Sequence, residues 1–423
     1  MKRIIYLLAL LLLTITVGAQ NFNITNLLKE NPKRAYGNDC PYIIQDTELT
    51  PSPQGYKPFY ISHYARHGSR YYWSDKLYKE LDTLLTVASQ KQVLTDEGEA
   101  FRQRFMDVKQ ELLTGCTELT QLGWEQHQAI ARLMYNDFPE VFLHGGNVLA
   151  IASLSGRCVI SMSAFCQELT QCNPAIEIRE QSSRFTLDGV VPSDHNNPLR
   201  RKFPRVMPRF INHRDLFHEP ADIRPAIVKR LVTSTEGLPY EDNRIADKLI
   251  DLYTSLPNIG HEGLMGNLIT DDEIVSRWEA SNLGSYAWVF GPQYEAIPIL
   301  QDIMRKANAV IYDEIDRVAD LRFGHDTCIG PLTVLMGING ADRDPEDPNQ
   351  VKYYYQNWQT CKASNIQLIF YRSDNSQDDI LVKCLLNGNE ATLPVPTVTA
   401  PYYKWSDFCR YYNEKIEPII SSE

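Results

Sequence analysis

The feature that most constrains the fold is a short alternating run that breaks into a charged loop. Apolar and polar side chains alternate over residues 59–62, with the period of two that is typical of a β-strand. The run leads into Arg66, His67, Gly68 and Arg70, where the glycine allows a sharp turn of the backbone. An arginine fork matches phosphate oxygens bidentately and a neutral imidazole is a nucleophile, so the loop indicates phosphoryl transfer. A solvated basic turn is the equal alternative on these residues alone.

Two further apolar runs end in polar residues in the same way. Residues 147–153 are typical of a strand buried on both faces of a parallel sheet, and Arg157 follows them, although an arginine in a surface turn is the alternative. A third run at residues 321–324 leads into His325 and Asp326. In open α/β sheets the carboxyl ends of the strands share one edge, where ligands bind. The three runs therefore predict one site at that edge.

These motifs resemble those of the histidine acid phosphatases. The family signature Arg-His-Gly-x-Arg-x-Pro matches from Arg66 to Arg70, and Tyr72 stands where the family has proline. The segment around Arg157 is similar to the family's second phosphate-binding arginine, with Cys158 where threonine is usual. The His325-Asp326 pair resembles the family's proton-donor motif.

The resemblance implies a fold, a mechanism and a set of site residues. The fold is α/β, with a mostly parallel sheet flanked by helices and an inserted, mainly helical cap. His67 would attack phosphorus and Asp326 would protonate the leaving group. Neither a cofactor nor a metal is implied, and the partner is a phosphorylated small molecule. The residues that would bind its phosphate are Arg66, Arg70, Arg157 and His325.

Within that family the chain is most similar to the phytases and the multiple inositol polyphosphate phosphatases. The latter carry His-Ala-Glu where this chain has His325-Asp326-Thr327, so the choice of substrate between these groups is left open. Inositol polyphosphates such as phytate are the expected substrates, and two alternatives remain. One alternative is a broad-specificity acid phosphatase or sugar phosphatase. The other is a phospholigand-binding pseudoenzyme, which His67 and Asp326 argue against, because binding alone needs neither a nucleophile nor an acid.

Composition and segment boundaries predict how the chain is organised. Residues 1–19 have the charged start, apolar run and small-x-small end of a cleavable signal peptide, which indicates a periplasmic or extracellular enzyme without stable membrane insertion. The remainder is predicted to divide into a first core part (20–180), a helical cap (181–300) and a second core part (301–423). The net charge of -11 argues against nucleic-acid binding. Oligomeric state is left open.

One basic run and several histidines and cysteines need separate interpretation. Five cations cluster in the predicted cap and either contact a multiply phosphorylated substrate or form a solvated face; they are Arg200, Arg201, Lys202, Arg205 and Arg209. Histidines and acids at residues 213–219 follow no established metal-ligand spacing. Nine cysteines allow up to four disulfides of unknown connectivity.

Helix and hairpin signals complete the prediction. Residues 119–126 match the family's Leu-Thr-x-x-Gly-x-x-Gln segment, which is structural in that family; Thr120 is a predicted helix N-cap, and His127 is interpreted as a helix residue rather than a ligand. Apolar residues at helical spacing predict an amphipathic helix over 300–319, and another helix is expected to begin near Pro331. Asn387-Gly388 predicts a β-hairpin turn.

Overall fold

The computed structural model describes residues 23–44, 47–192 and 203–421. The predicted signal peptide lies outside these ranges, and so do Arg200, Arg201 and Lys202 of the basic run. Helices in the described ranges are α1 (Ile24–Glu30), α2 (Lys76–Gln90), α3 (Asp96–Gly115), α4 (Gln121–Asp137), α5 (Pro139–Phe142), α6 (Gly156–Cys172), α7 (Arg224–Leu231), α8 (Asp242–Ser255), α9 (Asp271–Phe290), α10 (Ile297–Ile311), α11 (Asp326–Met336) and α12 (Trp405–Ile420).

The described strands form one mixed sheet in the order β3-β2-β4-β1-β5-β6-β7, with β8 paired to β6. They are β1 (Tyr56–Arg66), β2 (Gly146–Ala152), β3 (Ile176–Gln181), β4 (Ala319–Gly324), β5 (Asn365–Ser373), β6 (Ser376–Leu386), β7 (Asn389–Ala391) and β8 (Tyr402–Lys404). The first four strands pair in parallel, and the C-terminal strands add antiparallel pairs. The predicted α/β class is confirmed.

Each face of the sheet is covered by its own apolar core. Ile61 and Ala65 of β1 face the cluster that includes α2, α3 and α4, while Tyr60 and Tyr64 face the cluster built with α10, α11 and α12. Because successive side chains of a strand point to opposite faces, a strand covered on both sides buries almost every residue. From Tyr60 to Arg66 all seven residues of β1 are buried. The site residues that follow β1 are thus attached to a strand that is buried on both faces.

The parallel register brings three strand ends to one level. Arg66 pairs with Gly324 across β1 and β4, and Ala152 pairs with Phe323 across β2 and β4. Two backbone bonds extend this alignment past the strands, from His67 N to the Gly324 carbonyl (3.0 Å) and from Ser153 N to the Phe323 carbonyl (3.0 Å). The predicted convergence of the three motifs at one sheet edge follows from this register.

Helices from two distant parts of the chain pack together in one apolar cluster. Thr95 N, at the start of α3, donates to the Leu231 carbonyl at the end of α7 (3.0 Å), and Thr233 N returns a bond to the Val93 carbonyl (2.8 Å). Residues 203–300 are mainly helical, as expected for the predicted cap. The boundaries at residues 180 and 300 stay predictions.

Two helix boundaries differ from the sequence prediction. The helix predicted over 300–319 is α10, which ends at Ile311, because the chain turns through Asp313 at φ 56° before entering β4. The apolar residues after Ile311 therefore continue the pattern without continuing the helix. The helix expected near Pro331 begins five residues earlier at Asp326 and contains Pro331 in its interior. The hairpin turn is confirmed, with Asn387 and Gly388 both at positive φ between β6 and β7.

No disulfide joins the nine cysteines, all of which lie in the described ranges. Across those same ranges, no helix is long and apolar enough to cross a membrane.

Candidate active site

His67 is held in one tautomer at the end of β1. The side chain is 1% exposed, and its Nδ1 lies 2.9 Å from the carbonyl oxygen of Gly68. A carbonyl can only accept, so Nδ1 carries the proton and the Nε2 lone pair is available. The pKa of His67 is lowered well below its ordinary value, first by burial and then by the cations Arg66 and Arg70. The shift favours the neutral imidazole, which is the form that can act as a nucleophile.

Helix α4 supports the loop that carries His67. A Cβ on Gly68 would lie 2.4 Å from the Gly123 carbonyl oxygen, so the two glycines allow the loop and the helix to touch through their backbones. Gln126 accepts from Ser69 N (2.9 Å) through Oε1 and donates to Ser69 Oγ (2.9 Å) through Nε2. Thr120 caps the helix, as predicted, by accepting from Gly123 N at 3.3 Å.

The Tyr72 side chain, which replaces the family's proline, is also fixed. Its hydroxyl donates to Asp251 Oδ2 of α8 at 3.1 Å. Burial raises the pKa of Asp251 to about 6, and the bond from Tyr72 opposes that rise. The loop is thus hydrogen-bonded to α8 at the position where the family signature has proline.

Arg66 lies behind the pocket and does not line it. Its Nη1 donates to the carbonyls of Asn38 (2.7 Å) and Thr360 (2.8 Å), and its Nη2 lies 2.9 Å from Asp326 Oδ2. Most of its donors are therefore used inside the protein. In the described structure Arg66 holds Asp326, and direct phosphate contact by Arg66 stays a prediction.

Arg157 and His325 face each other across β2 and β4. Arg157 is the second residue of α6, and its Nη2 lies 3.5 Å from His325 Nδ1. Because the guanidinium can only donate, Nδ1 is the acceptor and Nε2 carries the proton toward Ser153 Oγ (3.0 Å). Burial and then Arg157 lower the pKa of His325 to about 4. Cys158, where the family has threonine, donates its thiol to the Gly324 carbonyl at 3.2 Å.

Asp326 is the first residue of α11, where the partial positive charge of a helix N-terminus favours a carboxylate. Burial is the largest single influence and raises the pKa of Asp326, but Arg66, Lys362, His325 and Arg70 together outweigh it, so the net pKa is well below its usual range. Asp326 is therefore ionised in the protein alone. Any role as an acid requires a neighbour that raises this pKa.

An ion pair between the buried Lys362 and the partly exposed Asp39 was not predicted from the sequence. Lys362 is 1% exposed, donates to Asp39 Oδ1, and lies 3.2 Å from the Asn38 carbonyl that Arg66 also uses. Burial, and then Arg66, lowers the pKa of Lys362 to about 7, and Asp39 opposes both. Asp39 and Lys362 are more than 300 positions apart, so no local pattern could have revealed them.

The predicted phosphate residues surround a single cavity of about 680 Å³. Buried guanidinium atoms without a hydrogen-bond partner in the described residues include Nε of Arg70 and of Arg157. Residues lining the cavity include His67, Arg70, Arg157, His325 and Asp326, and also Trp73, Trp288, Arg205 and Glu295. The structure thus brings together five of the six predicted residues at the cavity wall and puts the sixth, Arg66, behind it.

The two described residues of the basic run, Arg205 and Arg209, lie in different surroundings. Arg205 lines the cavity and pairs with Glu295 at 2.9 Å. Arg209 does not line it and pairs with Asp344 (3.5 Å) and Glu346 (3.1 Å), so it matches the solvated-face interpretation. Arg200, Arg201 and Lys202 lie outside the described residues.

Other predicted or rejected ligands are placed as follows. His127 belongs to α4 and packs its ring against Phe323 at 5.6 Å, so its interpretation as a helix residue is confirmed. Among the described residues, no group of three or more His, Cys, Asp and Glu could hold a metal ion.

Two aromatic residues of the site were missed, although one signal was available. Trp73 comes three residues after Arg70 in the loop itself, so its position in sequence already pointed to the pocket. Trp288 reaches the cavity from α9, and nothing near it in sequence indicates that role.

Comparison with known proteins identifies the fold. No protein-family model matches the chain, and no curated protein matches it in sequence. The Bifidobacterium longum multiple inositol polyphosphate phosphatase, in complex with inositol hexasulfate, superposes with a TM-score of 0.69 at 17% identity, covering 88% of this chain and 96% of that one. The D. castellii phytase gives 0.67 at 16% identity, covering 95% and 90%. The Hafnia alvei phytase in complex with tartrate gives 0.53 at 12% identity, covering 87% and 99%.

These similarities extend over most of the chain, and the resemblance drawn from the motifs is confirmed at the level of the fold.

Proposed function

We propose that the protein is a phosphomonoesterase that acts on inositol phosphates through a phosphohistidine intermediate. The observation that carries the proposal is the position of His67, whose unprotonated Nε2 shares one cavity with Arg70, Arg157, His325 and Asp326. The fold supports the substrate class, since the similar structures are described as phytases and a multiple inositol polyphosphate phosphatase.

In the first step His67 Nε2 attacks phosphorus as the bond to the leaving oxygen breaks. Arg70 and Arg157 neutralise charge on the equatorial oxygens, and the N–H groups of these forks match phosphate geometry. Asp326 gives its proton to the departing alkoxide, so the alcohol leaves neutral. The products of this step are the free alcohol and phosphate bound covalently to His67.

In the second step water attacks the phosphohistidine. Asp326, now ionised, takes a proton from that water, the P–N bond breaks, and inorganic phosphate leaves. His67 returns to its neutral form with Nδ1 still protonated and donating to the Gly68 carbonyl. The cycle regenerates the protonated Asp326 that it began with.

Binding of the substrate provides the higher pKa that Asp326 needs in order to act as an acid. A bound phosphate places negative charge beside the cations that lower the pKa of Asp326, and so it raises that pKa. Acidic solution provides the proton and also converts part of the substrate to the monoanion, because the second phosphate pKa is about 6. We therefore expect an acidic optimum.

The proposal includes the cellular location and the layout of the chain. The pattern of residues 1–19 supports export to the periplasm or outside the cell, and the helical region of residues 203–300 supports a cap above the core.

The test is trapping of the intermediate. Wild-type protein mixed with ³²P-labelled inositol phosphate and quenched within milliseconds should carry acid-labile, base-stable phosphate. His67→Ala should carry none and lose at least about a thousandfold in kcat, as expected for loss of a nucleophile. Near-normal turnover by correctly folded His67→Ala would refute the nucleophile assignment.

The alternatives make different predictions in the same assay. A broad or sugar-specific phosphatase would release phosphate from glucose 6-phosphate at least as efficiently as from inositol phosphates. A pseudoenzyme would bind inorganic phosphate and release none from any ester.

A further inference from the structure

Two tryptophans line the cavity together with the phosphate residues, and the proposed chemistry uses neither. Trp73 is 63% exposed and Trp288 is 47% exposed. Indole rings bury large apolar areas when they bind, so two solvent-accessible indoles at a cavity are unfavourable unless something covers them. Cavities of several hundred Å³ accommodate whole small molecules, and this one measures about 680 Å³, so it has room for more than the reacting phosphate.

Both indoles are attached to backbone that is fixed relative to the motifs. The two residues before Trp73 are tied to residues 117–118 by Tyr71 N to the Glu118 carbonyl (3.1 Å) and by Thr117 N to the Tyr72 carbonyl (3.0 Å). Trp288 lies in the last turn of α9, next to Val289, which packs so closely on α11 that a Cβ at Gly330 would be 2.5 Å away. The positions of the indoles are therefore set by the elements that hold His67 and Asp326.

Two of the charged residues that line the cavity offset each other. Arg205 Nε lies 2.9 Å from Glu295 Oε1, and the Glu295 side chain is only 6% exposed. Four other neutral residues line the cavity, and they are apolar or weakly polar: Val191, Pro292, Thr327 and Pro331. The lining residues outside the predicted phosphate motifs thus offer apolar surface and one ion pair whose charges offset each other.

We propose that Trp73 and Trp288 form a subsite that binds the ring of the leaving group, so the preferred substrates are phosphate monoesters of cyclic alcohols. The C–H face of a cyclitol or sugar ring packs on an indole, whereas a short linear alcohol covers little of it. The inference rests on the proposed phosphomonoesterase function and specifies its substrate. Recognition of the ring is then separate from recognition of the phosphate.

The test compares a cyclic and a linear ester of the same alcohol class. Myo-inositol 1-phosphate and glycerol 2-phosphate each carry one phosphate on a secondary alcohol. In Trp73→Ala and Trp288→Ala the ratio of kcat/KM for inositol 1-phosphate over glycerol 2-phosphate should fall about tenfold, equivalent to about 1.4 kcal/mol. Trp288→Phe should recover part of the ratio, because it keeps an aromatic face. An unchanged ratio in both alanine variants overturns the proposal.

A matched control removes an equally exposed aromatic side chain elsewhere. Tyr312 is 63% exposed, like Trp73, and does not line the cavity. Tyr312→Ala should leave the ratio as in wild type, and a fall in the ratio of the same size would overturn the proposal.

Equilibrium binding separates this inference from the proposed function. Calorimetry with His67→Ala measures the affinity for inositol 1-phosphate without turnover. Adding Trp288→Ala to that protein should weaken binding about tenfold while the affinity for inorganic phosphate changes less than twofold. Absence of turnover in wild type would refute the proposed function and leave this measurement valid. Equal weakening for both ligands, or none, would refute the ring subsite.

Discussion

At the residue scale, the site is organised around the protonation state of Asp326. Arg66, which is 1% exposed, lies 2.9 Å from its carboxylate, and the Lys362 charge adds to the same field. A carboxyl group surrounded by cations has already lost its proton, and a bound anion raises its pKa again. In the proposed mechanism, proton donation by Asp326 would therefore depend on a bound phosphate.

Asp326→Asn should affect the first chemical step according to the leaving group. We expect phosphoenzyme formation from glycerol 2-phosphate to slow by about 10² to 10⁴, since general-acid catalysis contributes that much. With 4-nitrophenyl phosphate the first step should slow by less than about tenfold, because that leaving group needs no proton. Rapid-quench measurement of the first turnover separates this step from hydrolysis of the intermediate. An equal loss with both substrates would indicate a structural role.

Lys362→Met should move the alkaline limb of the kcat profile to higher pH. The Lys362 cation lowers the pKa of Asp326, so its removal raises that pKa and keeps Asp326 protonated over a wider range. Lys362→Arg retains the charge and should leave the limb near its wild-type position. The measurement is kcat against pH for all three proteins. A limb that does not move in Lys362→Met would show that the ion pair with Asp39 acts only in folding.

At the element scale, the geometry depends on one backbone contact between α4 and the loop of His67. A Cβ on Gly123 would lie 2.2 Å from the Ser69 carbonyl oxygen, and Ser69 N and Oγ are both bonded to Gln126 of the same helix. The helix can therefore approach the loop only with glycine at this position. A displacement of about 1 Å at a reacting atom can cost about a hundredfold in rate.

Gly123→Ala should lower kcat by at least about tenfold, because the added methyl group moves the loop and His67 away from Arg157 and His325. Gly284 in α9 offers a matched control, since a Cβ there meets nothing within 4 Å. Gly284→Ala should keep kcat and raise stability by up to about 1 kcal/mol through helix propensity. Steady-state kinetics and urea unfolding of the two variants test this. Full activity in Gly123→Ala would show that the loop is positioned by other contacts.

At the scale of the whole molecule, acid has opposite effects on chemistry and on folding. The rings of His63 and His127 are fully buried around Phe323, and their nitrogens have no hydrogen-bond partner within the described ranges. Burial lowers the pKa of His127 to about 3 and also lowers that of His63. Unfolding exposes both to water, where the histidine pKa is about 6.5.

Stability should therefore decrease as pH falls below about 6.5, because the unfolded chain then binds more protons than the folded one. Each such histidine contributes a slope of about 1.4 kcal/mol per pH unit until its folded pKa is reached. Urea unfolding at pH 7, 6 and 5 measures the total slope. His127→Leu removes one titrating group and should reduce the slope by about 1.4 kcal/mol per unit. An unchanged slope in this variant would contradict the account.

The sequence by itself determined which strands are followed by candidate site residues and what types of residue these are. Alternation over residues 59–62 and the motifs at Arg66–Arg70 and His325-Asp326 are local signals, carried by side chains within a few positions of each other. Parallel register then converts three such strand ends into one site. For the same reason the α/β class and the hairpin at Asn387-Gly388 were predictable.

Only the tertiary structure decided the partners of the charged groups and the shape of the pocket. Arg66 donates to the carbonyls of Asn38 and Thr360, and Arg205 donates to the carboxylate of Glu295, 90 positions away. Pairing over such separations depends on how the elements pack, which no local pattern encodes. Local signals also misplaced the end of α10, where the chain turns through Asp313 before β4, and the start of α11, which begins directly after β4 at Asp326. Motifs thus identify the candidate site residues, and packing determines which of them line the cavity.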